Sequence, residues 1–195
     1  MSNPAPVPQL DSLTATAKSA AAKGPPPVHL WHPDYCGDID MRIASDGTWF
    51  YMGTPIGRPA LVKLFASILR KDPERFVLVT PVEMVGIVVE DAPFLAVAME
   101  KGDGNLGPSL TFRTNVDDEV TAGPEHPLRF EEDPTGGMKP YIKVRGELWA
   151  KVSRPVFYDL AALGEERDVE GVTMFGIASN GAFFPMIEAD RLTEF

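Results

Sequence analysis

A 32-residue stretch of this chain recurs, and no other feature constrains the fold as much. Arg58 through Val89 lies on Arg154 through Pro185 without a gap at an offset of 96 residues. Six positions are identical: Arg58 on Arg154, Pro59 on Pro155, Leu64 on Leu160, Ala66 on Ala162, Asp72 on Asp168 and Glu74 on Glu170. Average composition would give roughly two such matches. Two copies of one supersecondary unit in tandem are therefore expected.

The content of the unit follows from its periodicity. Leu61, Leu64, Phe65 and Ile68 recur at the spacing of one helical face, Pro59 suits a first helical position and Asp72-Pro73 ends the run, which predicts a helix over Pro59 to Arg70. Strand-like runs surround it at Thr48 to Met52, Arg75 to Thr80, Val85 to Val89 and Phe94 to Glu100. The second half repeats this grammar, with strands at Ser109 to Thr114, Leu128 to Glu131, Pro140 to Val144, Leu148 to Val152 and Val172 to Ile177. Its helix falls near Pro155 to Leu163, with Gly164 as the stop.

Short turns between the strands favour antiparallel pairing, and one amphipathic helix per unit supplies the layer that covers each sheet. The expected fold is α+β: two related units in tandem, each a curved antiparallel sheet, or half-barrel, wrapped around one helix. The expected division is a flexible Pro/Ala-rich arm over 1–27, a first unit over 28–100 and a second over 101–195. Within the arm, Leu10 and Leu13 beside Asp11 and Ser12 allow a short docked helix.

A net charge of -10 without a basic cluster sets phosphate-backbone partners against net repulsion, so nucleic acid is not an expected partner. No apolar run approaches the roughly 20 residues of a spanning helix, so no membrane is expected either. A single cysteine, Cys36, has no internal disulfide partner, and the first residues carry no basic segment followed by an apolar signal core. A cytoplasmic setting is the expectation.

Several separated motifs carry a family resemblance. Asp46-Gly47-Thr48-Trp49-Phe50, Thr54-Pro55-Ile56-Gly57-Arg58-Pro59 and Leu61-Val62-Lys63-Leu64-Phe65 occur in order. They are followed by Leu78-Val79-Thr80-Pro81-Val82-Glu83, Val89-Glu90-Asp91-Ala92-Pro93-Phe94, Thr114-Asn115 and Leu148-Trp149-Ala150 with Arg154. In these runs the chain resembles an uncharacterised bacterial family, domain of unknown function 1285, over about residues 26–163. The resemblance implies two half-barrels, each around a helix, loosely similar to modules of signal transduction. It brings no catalytic pattern, and the functional hint is analogy of fold.

Gly102-Asp103-Gly104-Asn105-Leu106-Gly107 matches the dinucleotide fingerprint by letter, but Pro108 and a strand-like run follow it where a helix N-terminus is needed, so a turn between the halves is favoured and no cofactor is expected. His29, His32, Asp34, Cys36, Asp38 and Asp40 crowd together at spacings that fit no finger or calcium loop. They read as a lead-in segment with turn-forming acids, and no metal is expected. No serine stands in a nucleophile-elbow setting.

The candidate site residues are Arg58, Arg154, Trp49, Trp149, Glu83 and Asp91. Arg58 and Arg154 place a cation at the positive end of a helix dipole, where each calls for a carboxylate or an anion. Pairing of Arg58 with Glu83 or Glu90 is the expected arrangement, and a clamp for a small anion or acidic peptide is the functional one. Trp49 and Trp149, each placed after a glycine turn, are expected to pack on their helices as core anchors, with ligand stacking as the lesser reading. Glu83 and Asp91 are the carboxylates suited to acid-base work, although Glu90-Asp91-Ala92-Pro93 also reads as a plain turn.

These residues point to a non-catalytic binding or regulatory module with a small anionic ligand or a protein as partner. A small acid-base enzyme using Glu83 and Asp91, and an assembly component that forms a homo-oligomer through exposed edges, are the alternatives.

Overall fold

The computed structural model of the chain describes residues 10–194. The chain divides into two units, residues 1–93 and residues 94–195. The first holds helix α1 (Leu10–Ala21), strands β1 (Tyr35–Ile43), β2 (Trp49–Tyr51) and β3 (Thr54–Pro55), helix α2 (Pro59–Ser67), and strands β4 (Leu69–Lys71), β5 (Phe76–Val79) and β6 (Met84–Val89). Its six strands form one open sheet in the order β3-β2-β1-β6-β5-β4. Every junction is antiparallel except β1–β6, which is parallel because the chain crosses over through α2 between the two hairpins.

Helix α2 opens at Pro59 as its sequence dictates and stops at Ser67, three residues before the expected end at Arg70. The competing force is the sheet: Leu69, Arg70 and Lys71 pair with Leu78, Val77 and Phe76. Phe65, Ile68 and Leu69 are buried with Met41, Ile43, Trp49, Val77, Leu78 and Val85 in the core of this unit.

Within the arm expected over residues 1–27, Leu10–Ala21 fold into α1, with Leu13 and Ala17 buried one turn apart on a single face that packs on α2. Residues 1–9 of that arm lie outside the described residues. The lead-in after α1 is tied to strand β4 by Arg70, whose Nη1 donates to the carbonyls of Val28 at 2.8 Å and Trp31 at 2.7 Å.

The second unit opens at Phe94 and not at Lys101, because the strand starting there pairs with strands on the C-terminal side. It holds β7 (Phe94–Gly104), β8 (Gly107–Thr114), β9 (Glu119–Thr121), β10 (Leu128–Glu132), β11 (Met138–Arg145), β12 (Leu148–Val152), helix α3 (Arg154–Ala161), and β13 (Glu165–Val169), β14 (Val172–Ser179) and β15 (Ala182–Glu188). One open six-stranded sheet runs β10-β11-β12-β7-β8-β9, again with a single parallel junction, at β12–β7. A three-stranded antiparallel meander β13-β14-β15 forms a second sheet.

The repeat is visible in this order. Each of α2 and α3 is followed by a three-stranded antiparallel meander, and the 96-residue offset carries the starts of β4 and β5, Leu69 and Phe76, onto those of β13 and β14, Glu165 and Val172. The copies diverge at their ends: β6 joins β1 in the larger sheet, whereas β15 remains in a sheet of its own. The fold is α+β, two related units in tandem.

Candidate functional site

The two arginines at the helix starts stand in different surroundings. Arg58 is the residue before the first helical turn of α2 and is exposed; among the described residues no carboxylate pairs with it. The expected partners are committed elsewhere. Glu90 accepts hydrogen bonds from the Ser45 amide at 2.9 Å and from Arg42 Nη1, which hold its carboxyl below the ordinary range. Glu83 is buried. Arg154 opens α3 behind Ser153, and its Nε donates to the Tyr158 hydroxyl, one turn on, at 2.9 Å.

The tryptophans part company as well. Trp49 is buried in β2 with its ring 6.5 Å from that of Phe65 on α2, a stacked pair that anchors helix to sheet as expected. Trp149 does not anchor α3. In β12 the buried residues are Leu148, Ala150 and Val152, so Trp149 points to the opposite face, half-buried, with the Arg129 guanidinium 4.4 Å above its ring.

Glu83 and Asp91 are not brought together. They flank β6 at its two ends, eight residues apart, which at the rise of an extended strand is roughly 25 Å. Glu83 is only 9% exposed, and burial drives its carboxyl above the ordinary value. Asp91 is half-buried in the turn that leads out of the first unit.

What the second unit does assemble is a cleft of about 680 Å3 beside the start of α3. One wall is the loop Asp133–Gly137, drawn tight by the Asp133 carboxylate, which accepts from the Thr135 amide at 2.9 Å and hydroxyl at 2.7 Å and pairs with Lys139 Nζ at 3.0 Å. These contacts, the Thr135 ones foremost, hold the Asp133 carboxyl far below the usual carboxylate range. The other wall is α3, with Arg154, Phe157 and Tyr158; Lys151 and Val152 of β12 line the cleft too. Tyr158 is 60% exposed, so an aromatic face and two cations, Lys151 and Arg154, border one concavity.

Of the six candidate residues this cleft contains Arg154 alone. Tyr158 was findable as the residue one turn after Arg154, and Asp133-Pro134-Thr135-Gly136-Gly137 as a turn signal; the convergence of the two, 21 residues or more apart in sequence, was not. The glycine fingerprint at 102–107 is the hairpin turn Asn105-Leu106 between β7 and β8, inside the second unit and not between the halves. Among the described residues no three of His, Cys, Asp or Glu are grouped as metal ligands. The expected lead-in with turn-forming acids is strand in its latter part: Cys36, Asp38 and Asp40 lie in β1, and Asp38 accepts a hydrogen bond from Tyr35 Oη at 2.6 Å. No helix is long and apolar enough to cross a membrane.

Two family models match the chain: "Domain of unknown function (DUF1285), N-terminal domain" over residues 26–92, and "Protein of unknown function (DUF1285), C-terminal domain" over residues 93–186. The matched stretches meet within a residue of the division between the units. The chain is similar to a solved DUF1285 family protein from Silicibacter pomeroyi DSS-3, at 51% identity over 95% of this chain and 100% of that one, with a TM-score of 0.85. It is also similar to a DUF1285 family protein from Shewanella baltica OS155, at 28% identity over 64% of this chain and 91% of that one, with a TM-score of 0.51. The search of curated proteins gave no match.

Proposed function

This chain belongs to the DUF1285 family, and from that premise we propose that it is a non-catalytic binding module whose second unit captures an anionic ligand in the cleft beside α3. One observation carries the reading: Lys151, Arg154 and the exposed ring of Tyr158 border one concavity in a chain whose net charge is -10. The acid of that cleft is already occupied, since Asp133 is held by Thr135 and Lys139. A ligand bearing a carboxylate or phosphate on an apolar or aromatic body suits such a lining, the anion meeting the cations and the body covering Tyr158.

The distance between Glu83 and Asp91 supports binding over acid-base chemistry, because proton transfer needs its groups within hydrogen-bond reach. A module that binds without reacting passes on only its occupancy, so regulation is the use we propose for it, in a cytoplasmic setting in keeping with the lone Cys36.

The test is a thermal-shift panel of carboxylates, phosphates and nucleotides on the wild type, Arg154→Ala and Tyr158→Ala. A ligand at a hundred times its dissociation constant adds about 2.7 kcal/mol. Stabilisation of the wild type that both variants lose is the expected result. Stabilisation that persists in both puts the ligand elsewhere and overturns the assignment.

A further inference from the structure

Glu83 stands at the head of β6 in a setting made for a neutral group. Its backbone is locked by the preceding turn, with Thr80 N donating to its carbonyl at 2.9 Å and its own amide to Thr80 Oγ1 at 3.2 Å. Its carboxyl Oε1 is sealed from solvent and has no hydrogen-bond partner. The side chain that meets the carboxyl belongs to α1: Thr16, whose hydroxyl donates to Ser12 O at 3.0 Å. That hydroxyl has one hydrogen, which Ser12 O already takes up; what Thr16 still gives the carboxyl favours its ionised form but is outweighed by burial.

Among the described residues no counter-charge makes up the difference. On α1, Lys18 is exposed; beyond the helix, Lys23 lines an open cleft with Pro81 and Val82. On β4, Arg70 is committed to Asp72 and to the Val28 and Trp31 carbonyls. From β1, Tyr35 and Asp38 are paired with each other, and His29 and His32 of the lead-in are exposed. An ionised Glu83 under a docked α1 would be a buried, unpaired charge, which a structure relieves by opening to water. The helix it would have to move is anchored by two buried residues, Leu13 and Ala17.

We propose that α1 is a pH-gated strap, docked over Glu83 while that carboxyl carries its proton and released from the first unit when it ionises. Burial raises the folded-state pKa of Glu83 above its ordinary 4.5. The docked state is therefore favoured below that raised value, and the preference is lost as pH rises through it.

Amide hydrogen exchange on the intact chain, corrected for the intrinsic pH dependence of exchange, tests this between roughly pH 4 and pH 8, with strand β5 as internal reference. In the wild type the protection of residues 10–21 should fall at least tenfold relative to β5 across that range, and in Glu83→Gln it should stay high throughout. An equal loss in Glu83→Gln would assign the titration to His29, His32 or another group and overturn the proposal, as would wild-type protection that does not change. Should Glu83→Gln fail to fold, a carbon-13 titration of the Glu83 carboxyl in the wild type decides: a midpoint above 4.5 that coincides with the loss of α1 protection upholds the strap, and a midpoint at or below 4.5 removes it.

Discussion

Ser179 of β14 and Leu110 of β8 are joined by a buried hydrogen bond, the Leu110 amide donating to Ser179 Oγ at 2.9 Å while the same hydroxyl donates to the Ala122 carbonyl at 2.8 Å. One side chain thus ties the three-stranded meander to two segments of the larger sheet. Ser179→Ala leaves a buried donor and a buried acceptor unpaired, and a loss of about 1 to 3 kcal/mol in chemical denaturation is expected. A loss below about 0.5 kcal/mol would show that the tether contributes nothing.

The opposite facing of the two strand tryptophans makes a paired prediction. Trp49→Ala should cost about 3 to 5 kcal/mol, as expected for a large aromatic removed from a core. Trp149→Ala should cost less than half as much, and acrylamide should quench Trp149 fluorescence far more readily than that of Trp49. Equal costs and equal quenching would contradict the facing described for β12.

Two glycines without side-chain room should respond unequally to alanine. A Cβ on Gly176 would stand 2.4 Å from the Phe184 carbonyl oxygen, a backbone atom of the paired strand, whereas a Cβ on Gly86 would first meet the end of the Asp38 side chain at 1.9 Å. Asp38 can swing away and the β15 backbone cannot. Gly176→Ala should therefore lower Tm by several degrees more than Gly86→Ala, and the reverse order would mean that β15 yields more easily than its pairing implies.

Asp133 supplies a pH prediction of definite sign. Its folded-state pKa lies below the ordinary 3.8, so the order it gives the Asp133–Gly137 loop is present above that value and lost only as pH falls through the depressed one. A carbon-13 titration should find Asp133 still ionised at pH 3.8, with the Thr135 amide protected. In Thr135→Ala, which removes the hydroxyl donor, the midpoint should move back up.

Local sequence carried the helices and the repeat. Pro59, the Leu61, Leu64, Phe65 and Ile68 spacing and the matching Arg-Pro steps placed α2 and α3 and foretold two copies of one element order. The phase of a strand was harder to read. Ile43 pairs with Trp49 across a five-residue turn, but Arg145 pairs with Leu148 across Gly146-Glu147, so Trp149 falls one residue further along its strand and on the other face. The parallel junctions were hidden for a related reason, since β1 reaches β6 only after α2 has carried the chain over. Of the candidate site, Arg154 was legible because its neighbours in sequence are its neighbours in space, while Lys139, Lys151 and Tyr158 converge through register and helix placement alone.

Strand β13 is paired on one flank only, and it reads Glu165-Glu166-Arg167-Asp168-Val169 with the four charged residues exposed. Another chain adding itself in antiparallel fashion to the open flank would set carboxylates of one copy against carboxylates of the other. This flank is thereby spoiled as a template for fibril growth, which leaves strand addition between copies to the other open edges of the sheets.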